Sequence, residues 1–173
     1  MKKYIYLLFA IIPLISFAQE KISFLNQNER IEFQISKEEL FIKFDSKNNK
    51  QIEENKSLNY TKISNGYGII KISQLNDVLF SERAKSIKNH INLENIEVEP
   101  VLIYSDGVKQ ICNGEVIIKT SEDLNKIFND LTFTFIENEL FENQYFVKFD
   151  KLNTLDLFDL VKNLQKKQSS RIY

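Results

Sequence analysis

Cysteine and histidine are almost missing from this sequence, with one of each, and tryptophan is missing altogether. One His and one Cys cannot assemble a zinc site, a disulfide framework or most nucleophile–base pairs, so the composition argues against catalysis. An excess of charge of either sign is missing too. The 23 basic and 24 acidic residues nearly cancel, to a formal −1. No basic stripe of the kind a nucleic acid or other polyanion requires is implied. What is present is a chain of 173 residues. That is enough for one domain or two small ones with a real core, and too little for a large enzyme.

The long apolar run lies at the start. Lys2 and Lys3 form a basic head, residues 4–17 are apolar apart from Pro13 and Ser16, and Ser16 and Ala18 place small residues at −3 and −1 of a cut before Gln19. This is the pattern of a secretory signal peptide over residues 1–18. Gln19, Glu20 and Lys21 end the run short of the ~20 apolar residues of a membrane-spanning helix. No Cys stands beside the cut to take a lipid, so the expected location is secreted or periplasmic. The mature chain then keeps only Cys112, which cannot pair within its own chain and reads as a small core residue in an apolar stretch.

Beyond the leader, polar residues 19–29 read as a loose arm. Residues 30–36 alternate with Ile31, Phe33 and Ile35 on one face, and residues 40–44 with Leu40, Ile42 and Phe44. Residues 45–58 read as an exposed loop, 67–72 as a third strand, 73–89 as weakly helical and 96–104 as extended. Asp106-Gly107 and Asn113-Gly114 are hairpin-type turn dipeptides. Residues 115–119 form a strand. Ser121 is positioned to cap a helix whose Leu124, Ile127, Phe128 and Leu131 make one stripe. Residues 131–136 and 145–150 read as two more strands. Thr154 opens the clearest helix, with Asp156 and Asp159 early, Lys162, Lys166 and Lys167 late, and Leu157, Leu160, Val161 and Leu164 as its packing face. Residues 169–173 follow as a short extended tail. From residue 115 the order is strand, helix, strand, strand, helix, strand. The expected fold class is therefore α+β: a ferredoxin-like split βαβ sandwich over residues 106–173, preceded by a smaller β-rich module over 19–105. Segments 69–80 and 117–128 also echo one another, as do 41–45 and 146–150, through either duplication or convergent strand composition.

The run Val98-Glu99-Pro100-Val101, then Gly114-Glu115-Val116-Ile117-Ile118-Lys119-Thr120, and the elements that follow resemble the N-terminal prodomain of secreted subtilisin-like serine proteases of the Bacteroidetes type. The resemblance covers residues 96–173 and, more loosely, 30–95. The family's Asp-x-Gly, His-Gly-Thr and Gly-Thr-Ser-x-Ala motifs are not in this sequence, and no motif sets the sole histidine, His90, beside a candidate serine. The resemblance thus implies a non-catalytic, stand-alone prodomain or a truncated relic. It further implies that the sheet docks on a subtilisin-like protease, which it inhibits or helps to fold. The tail Ser169, Ser170, Arg171, Ile172 and Tyr173 would then lie in the active-site cleft as an added strand, with Tyr173 in the primary specificity pocket. The alternative is an exported structural or interaction module that shares only the fold.

Other constellations are weaker. Gly66-Tyr67-Gly68 lacks the third glycine of a dinucleotide fingerprint and reads as a turn or bulge. Asp45-Ser46-Lys47-Asn48-Asn49 begins like a calcium loop but lacks its sixth-position glycine and closing Glu. No cofactor or metal is expected. Glu97 and Glu99 read as a solvated strand face, and Glu137, Glu139 and Glu142 as a solvated hairpin loop. The Phe-rich strands read as core, with Phe141 in a polar loop as the exception.

Overall fold

The computed structural model describes residues 20–26, 29–73 and 78–169; the expected leader lies outside them. The architecture is mixed α+β, with two antiparallel sheets and few helices. The large sheet is built from β1 (Lys21–Asn26), β2 (Glu29–Lys43), β3 (Asn59–Ser64), β4 (Tyr67–Lys71), β5 (Glu97–Ile103) and β6 (Lys109–Ile111). Its order is β3-β4-β2-β5-β6, with β1 paired to the first half of β2. The helices α1 (Asn49–Glu53) and α2 (Phe80–Ile91) belong to this half. The small sheet contains β7 (Glu115–Lys119), β8 (Phe133–Glu137) and β9 (Gln144–Phe149), in the order β7-β9-β8. A single helical turn, α3 (Leu124–Ile127), connects β7 to β8, and α4 (Thr154–Ser169) follows β9.

Several expectations are revised. Within the expected polar arm, Lys21–Asn26 form a strand, because Ile22 is buried and β1 runs in register along residues 29–34 of β2. The two strands expected over 30–44 are one long strand whose register shifts between Ile35 and Leu40. That irregularity moves the inward set from Phe33 and Ile35 to Leu40 and Ile42, so both ends face the same core. The segment 45–58 is not a plain loop. It carries a 3₁₀ turn and α1, and plants Ile52 and Leu58 in the core. A hairpin of β3 and β4 follows, turned at Asn65-Gly66 with Gly66 at φ +80°. Gly68 in β4 lies against the Tyr60 ring, so closely that a Cβ would overlap it.

Asp106-Gly107 turns a true hairpin, β5 to β6, so the large sheet extends to Ile111, past the boundary expected at 105/106. Asn113-Gly114 does not. Gly114, at φ +85°, passes the chain from the large sheet into the small one. Asp123, not Ser121, caps α3, its carboxylate accepting from Asn125 N at 2.9 Å.

Two cores result. In the large one, α2 adds Phe80, Ala84 and Ile91 to the inward residues of β2, β4 and β5. The small one centres on Phe128, whose ring meets Phe133 and Phe149 edge to face at 5.3 and 5.1 Å. Helix α4 serves both. Leu157, Leu160 and Leu164 pack into the small core, while Leu155 and Phe158 pack against the large one. Phe158 contacts the rings of Phe24 and Phe33, and Gln165 exchanges hydrogen bonds with the backbone of Leu25.

Candidate functional site

Residues 170–173 of the expected inhibitory tail, Ser170, Arg171, Ile172 and Tyr173, lie outside the described residues; Ser169 closes α4 rather than opening an extended segment. Among the described residues no three His, Cys, Asp or Glu side chains are grouped so as to hold a metal ion, and no helix is long and apolar enough to cross a membrane.

His90 does meet a serine. Its Nε2 lies 2.7 Å from Ser57 Oγ, in a polar cleft of about 700 Å³ that Arg83 and Lys109 also line. Sequence spacing gave no hint of this, because the two residues sit on different elements. The geometry does not make a relay. Ser57 Oγ donates to Asn55 Oδ1 at 2.6 Å, so its single proton is directed at the amide oxygen and not at His90. No acid is bonded to His90 among the described residues to orient it as a base. The contact pins the turn after α1 to the end of α2.

The other singled-out residues divide between structural and solvated roles. Glu99 is not on a solvated face: it is buried, and its Oε2 accepts from Thr154 N at 2.8 Å at the start of α4. Glu97 is exposed and pairs with Lys43 at 3.3 Å. Asp45 accepts from Lys47 N at 3.0 Å, and this bond, with the lysine's ammonium nearby, holds its carboxyl below the usual carboxylate range. Burial, then the charge of Glu53, pushes the Tyr60 phenol up. Cys112 is free and half-buried. Glu137, Glu139 and Glu142 are exposed, and so is Phe141.

The feature that stands out is the uncovered face of the small sheet. Val116, Ile118, Phe133, Tyr145, Val147 and Phe149 point to the core. Because side chains alternate along a strand, Ile117, Phe146 and Ile136 point the other way. The register sets these three side by side, Ile117 opposite Phe146 and Phe146 opposite Ile136. They are 61, 43 and 73 % exposed. Beyond Ile136, the β8–β9 loop displays Leu140 and Phe141, both exposed. Lys148 pairs loosely with Glu115 at 3.8 Å beside the row. An apolar row flanked by charge on an open sheet face has the character of an interaction surface. Sequence reading missed it by reading the Phe-rich strands as core. The available signal was Ile136, which breaks the Thr132, Thr134 alternation on the outward side of β8.

No protein-family profile matches the chain, and no curated protein or solved structure is significantly similar to it.

Proposed function

We propose that this chain is an exported, non-catalytic binding protein that docks on a subtilisin-like serine protease in the manner of a prodomain, inhibiting the enzyme or assisting its folding. The observation that carries the reading is the row Ile117, Phe146 and Ile136 on the open face of the small sheet. A protein that works by laying a sheet against a partner needs such an apolar, flat and uncovered face. Element order lends further support. Strand β9 lies between β7 and β8, so β7 and β8 run parallel with α3 connecting them and α4 following. We read this as a ferredoxin-like split βαβ unit that lacks only its last strand among the described residues.

The test is direct. The processed chain is titrated into a subtilisin while hydrolysis of a small chromogenic peptide is followed. Saturable inhibition is expected. Ile136→Glu places a charge in the row without touching the core, and should weaken inhibition about tenfold or more, as the loss of an interface anchor does. Deletion of residues 171–173 separates the roles of tail and face. Hydrolysis that stays unchanged at every concentration removes the protease reading.

A further inference from the structure

A second surface, independent of the protease reading, lies at the free edge of the small sheet. Among the described residues, strand β7 is a terminal strand, paired to β9 on one side only. Its inward residues Val116 and Ile118 are only half-buried, whereas Val147 and Phe149 on β9 are buried. The small core is therefore open along β7. Beside this edge lies an open groove of about 460 Å³, bordered by Val116, Ile117 and Cys112 and walled on its far side by Phe24, Phe33 and Val161.

Exposed edge strands are usually guarded by proline, bulges or charged side chains. Strand β7 has no proline and no register shift, and its charges are of opposite sign, Glu115 and Lys119, placed symmetrically about Ile117 on the outward face. Each of the other edge strands β1, β3, β6 and β8 carries charge of a single sign. The β7 sequence Glu115-Val116-Ile117-Ile118-Lys119 is thus self-complementary when run antiparallel to a second copy. Pairing centred on Ile117 would set Glu115 opposite the partner's Lys119 twice and Val116 opposite Ile118 twice. Opposite charges directly across an antiparallel pair stabilise it and like charges oppose it. Lys119 makes no ion pair among the described residues; the Glu115 carboxylate has one loose ion pair, with Lys148 at 3.8 Å, and accepts from Asn113 Nδ2 at 2.9 Å, while Glu115 N donates to Asn113 Oδ1, local contacts that the pairing would exchange.

We infer that the protein forms a two-fold dimer by antiparallel pairing of β7 with β7 of a second copy. The pairing joins two three-stranded sheets into one of six and closes both small cores. It also aligns the two outward rows into a single apolar stripe.

Sedimentation of the processed chain tests the register itself. The wild type should dimerise. Glu115→Lys alone and Lys119→Glu alone each place two like-charge pairs across the two-fold, and each should weaken the dimer about tenfold or more. Both positions are exposed, so far-UV circular dichroism should show both variants folded. An equimolar mixture of the two variants should recover a heterodimer, and the double exchange should recover a homodimer. A wild type that stays monomeric at about 1 mM, where a millimolar association would already be evident, overturns the proposal. So do single variants that dimerise like the wild type. Dimerisation that appears only after deletion of residues 170–173 overturns it as well, since the chain's own tail would then hold the edge.

Discussion

The two sheets are built from similar strands and are finished differently. In the large sheet, β2 is buried at four consecutive positions, 39 to 42, and β5 at five, 98 to 102, so side chains on both faces of these strands are covered. In the small sheet neither β7 nor β8 has a buried residue, and β9 has only Val147 and Phe149. Yet Ile117, Ile118, Phe135, Ile136 and Phe146 are as apolar as anything in β2. The difference lies in what covers the strands. Strand-forming residues decide that a pleated ribbon forms, whereas the number of layers packed on it decides whether one face or both become interior. The large sheet has its own exposed apolar residues, such as Leu25, Ile63 and Ile111, but they belong to separate strands, and scattered exposure is ordinary. Only in the small sheet does register align three of them into a row.

The sharpest way to break this comparison is to truncate one isoleucine on each side of it. Ile42 in β2 is fully buried, and Ile42→Ala should cost about 2–5 kcal/mol in urea unfolding, the range for large-to-small core changes. Ile136→Ser on the open face should stay within about 0.5 kcal/mol of the wild type, as for a surface substitution. If the two losses are alike, Ile136 is packed within the chain and the open face is not open.

A smaller effect is expected where the large sheet is closed by a polar clasp. Glu20 Oε2 accepts from Phe80 N at 2.7 Å at the start of α2 and lies 3.5 Å from Arg83 Nη2. Arg83 is buried and also donates to Ser36 O at 2.7 Å, while its Nε–H has no partner among the described residues. Glu20→Ala leaves a buried guanidinium without its acid and should cost about 1–3 kcal/mol, less than for a fully buried pair because Glu20 is partly exposed. In an Arg83→Leu background the same change should cost clearly less, since the charge it would strand is gone. Equal losses in both backgrounds would show that Glu20 acts through its helix cap alone. The small sheet has no ion pair closing its core among those found, which makes the clasp a feature of the finished half.

How much of this was legible follows from the range of the forces involved. In the second half β7, β9 and α4 were legible through local periodicity, whereas the helix expected from Ser121 through Leu131 is a single turn, Leu124–Ile127, with Phe128 and Leu131 packing from beyond it. In β2 the inward sets Phe33/Ile35 and Leu40/Ile42 were also legible, although the irregularity joining them was not. Strand β1 was missed because its apolar residues, Ile22 and Phe24, sit among polar neighbours and gain their strand character from pairing with β2. Strand β3 was missed although Asn65-Gly66 is a hairpin dipeptide, while the same kind of signal at Asn113-Gly114 led to a hairpin that is a crossover. A turn dipeptide fixes a local bend and a glycine φ; it does not choose which sheet receives the next strand. The start of α2 depends on Glu20, sixty residues away, and the Ser57–His90 contact joins two elements across the fold. The open row needed register, which becomes definite only once β7, β9 and β8 are ordered in space.

The smallest effect again concerns the large-sheet half, at the turn leaving β2. The Asp45 carboxylate caps the 3₁₀ turn through Lys47 N, with the Lys47 ammonium 3.0 Å away. These contacts depress its pKa in the folded chain. A depressed carboxyl binds its proton more readily when unfolded, so its contribution to stability is fully present above about pH 4. That contribution is lost as pH falls through the lower folded value. Asp45→Asn keeps an oxygen able to cap the turn and removes the titration. Stability curves of the two proteins should therefore converge in acid and separate above about pH 4, with the wild type the more stable. The gap should be slight, because the group is exposed and water screens its charge. Curves that stay parallel through the acid range would mean that the cap, not the charge, is what Asp45 supplies to the finished sheet.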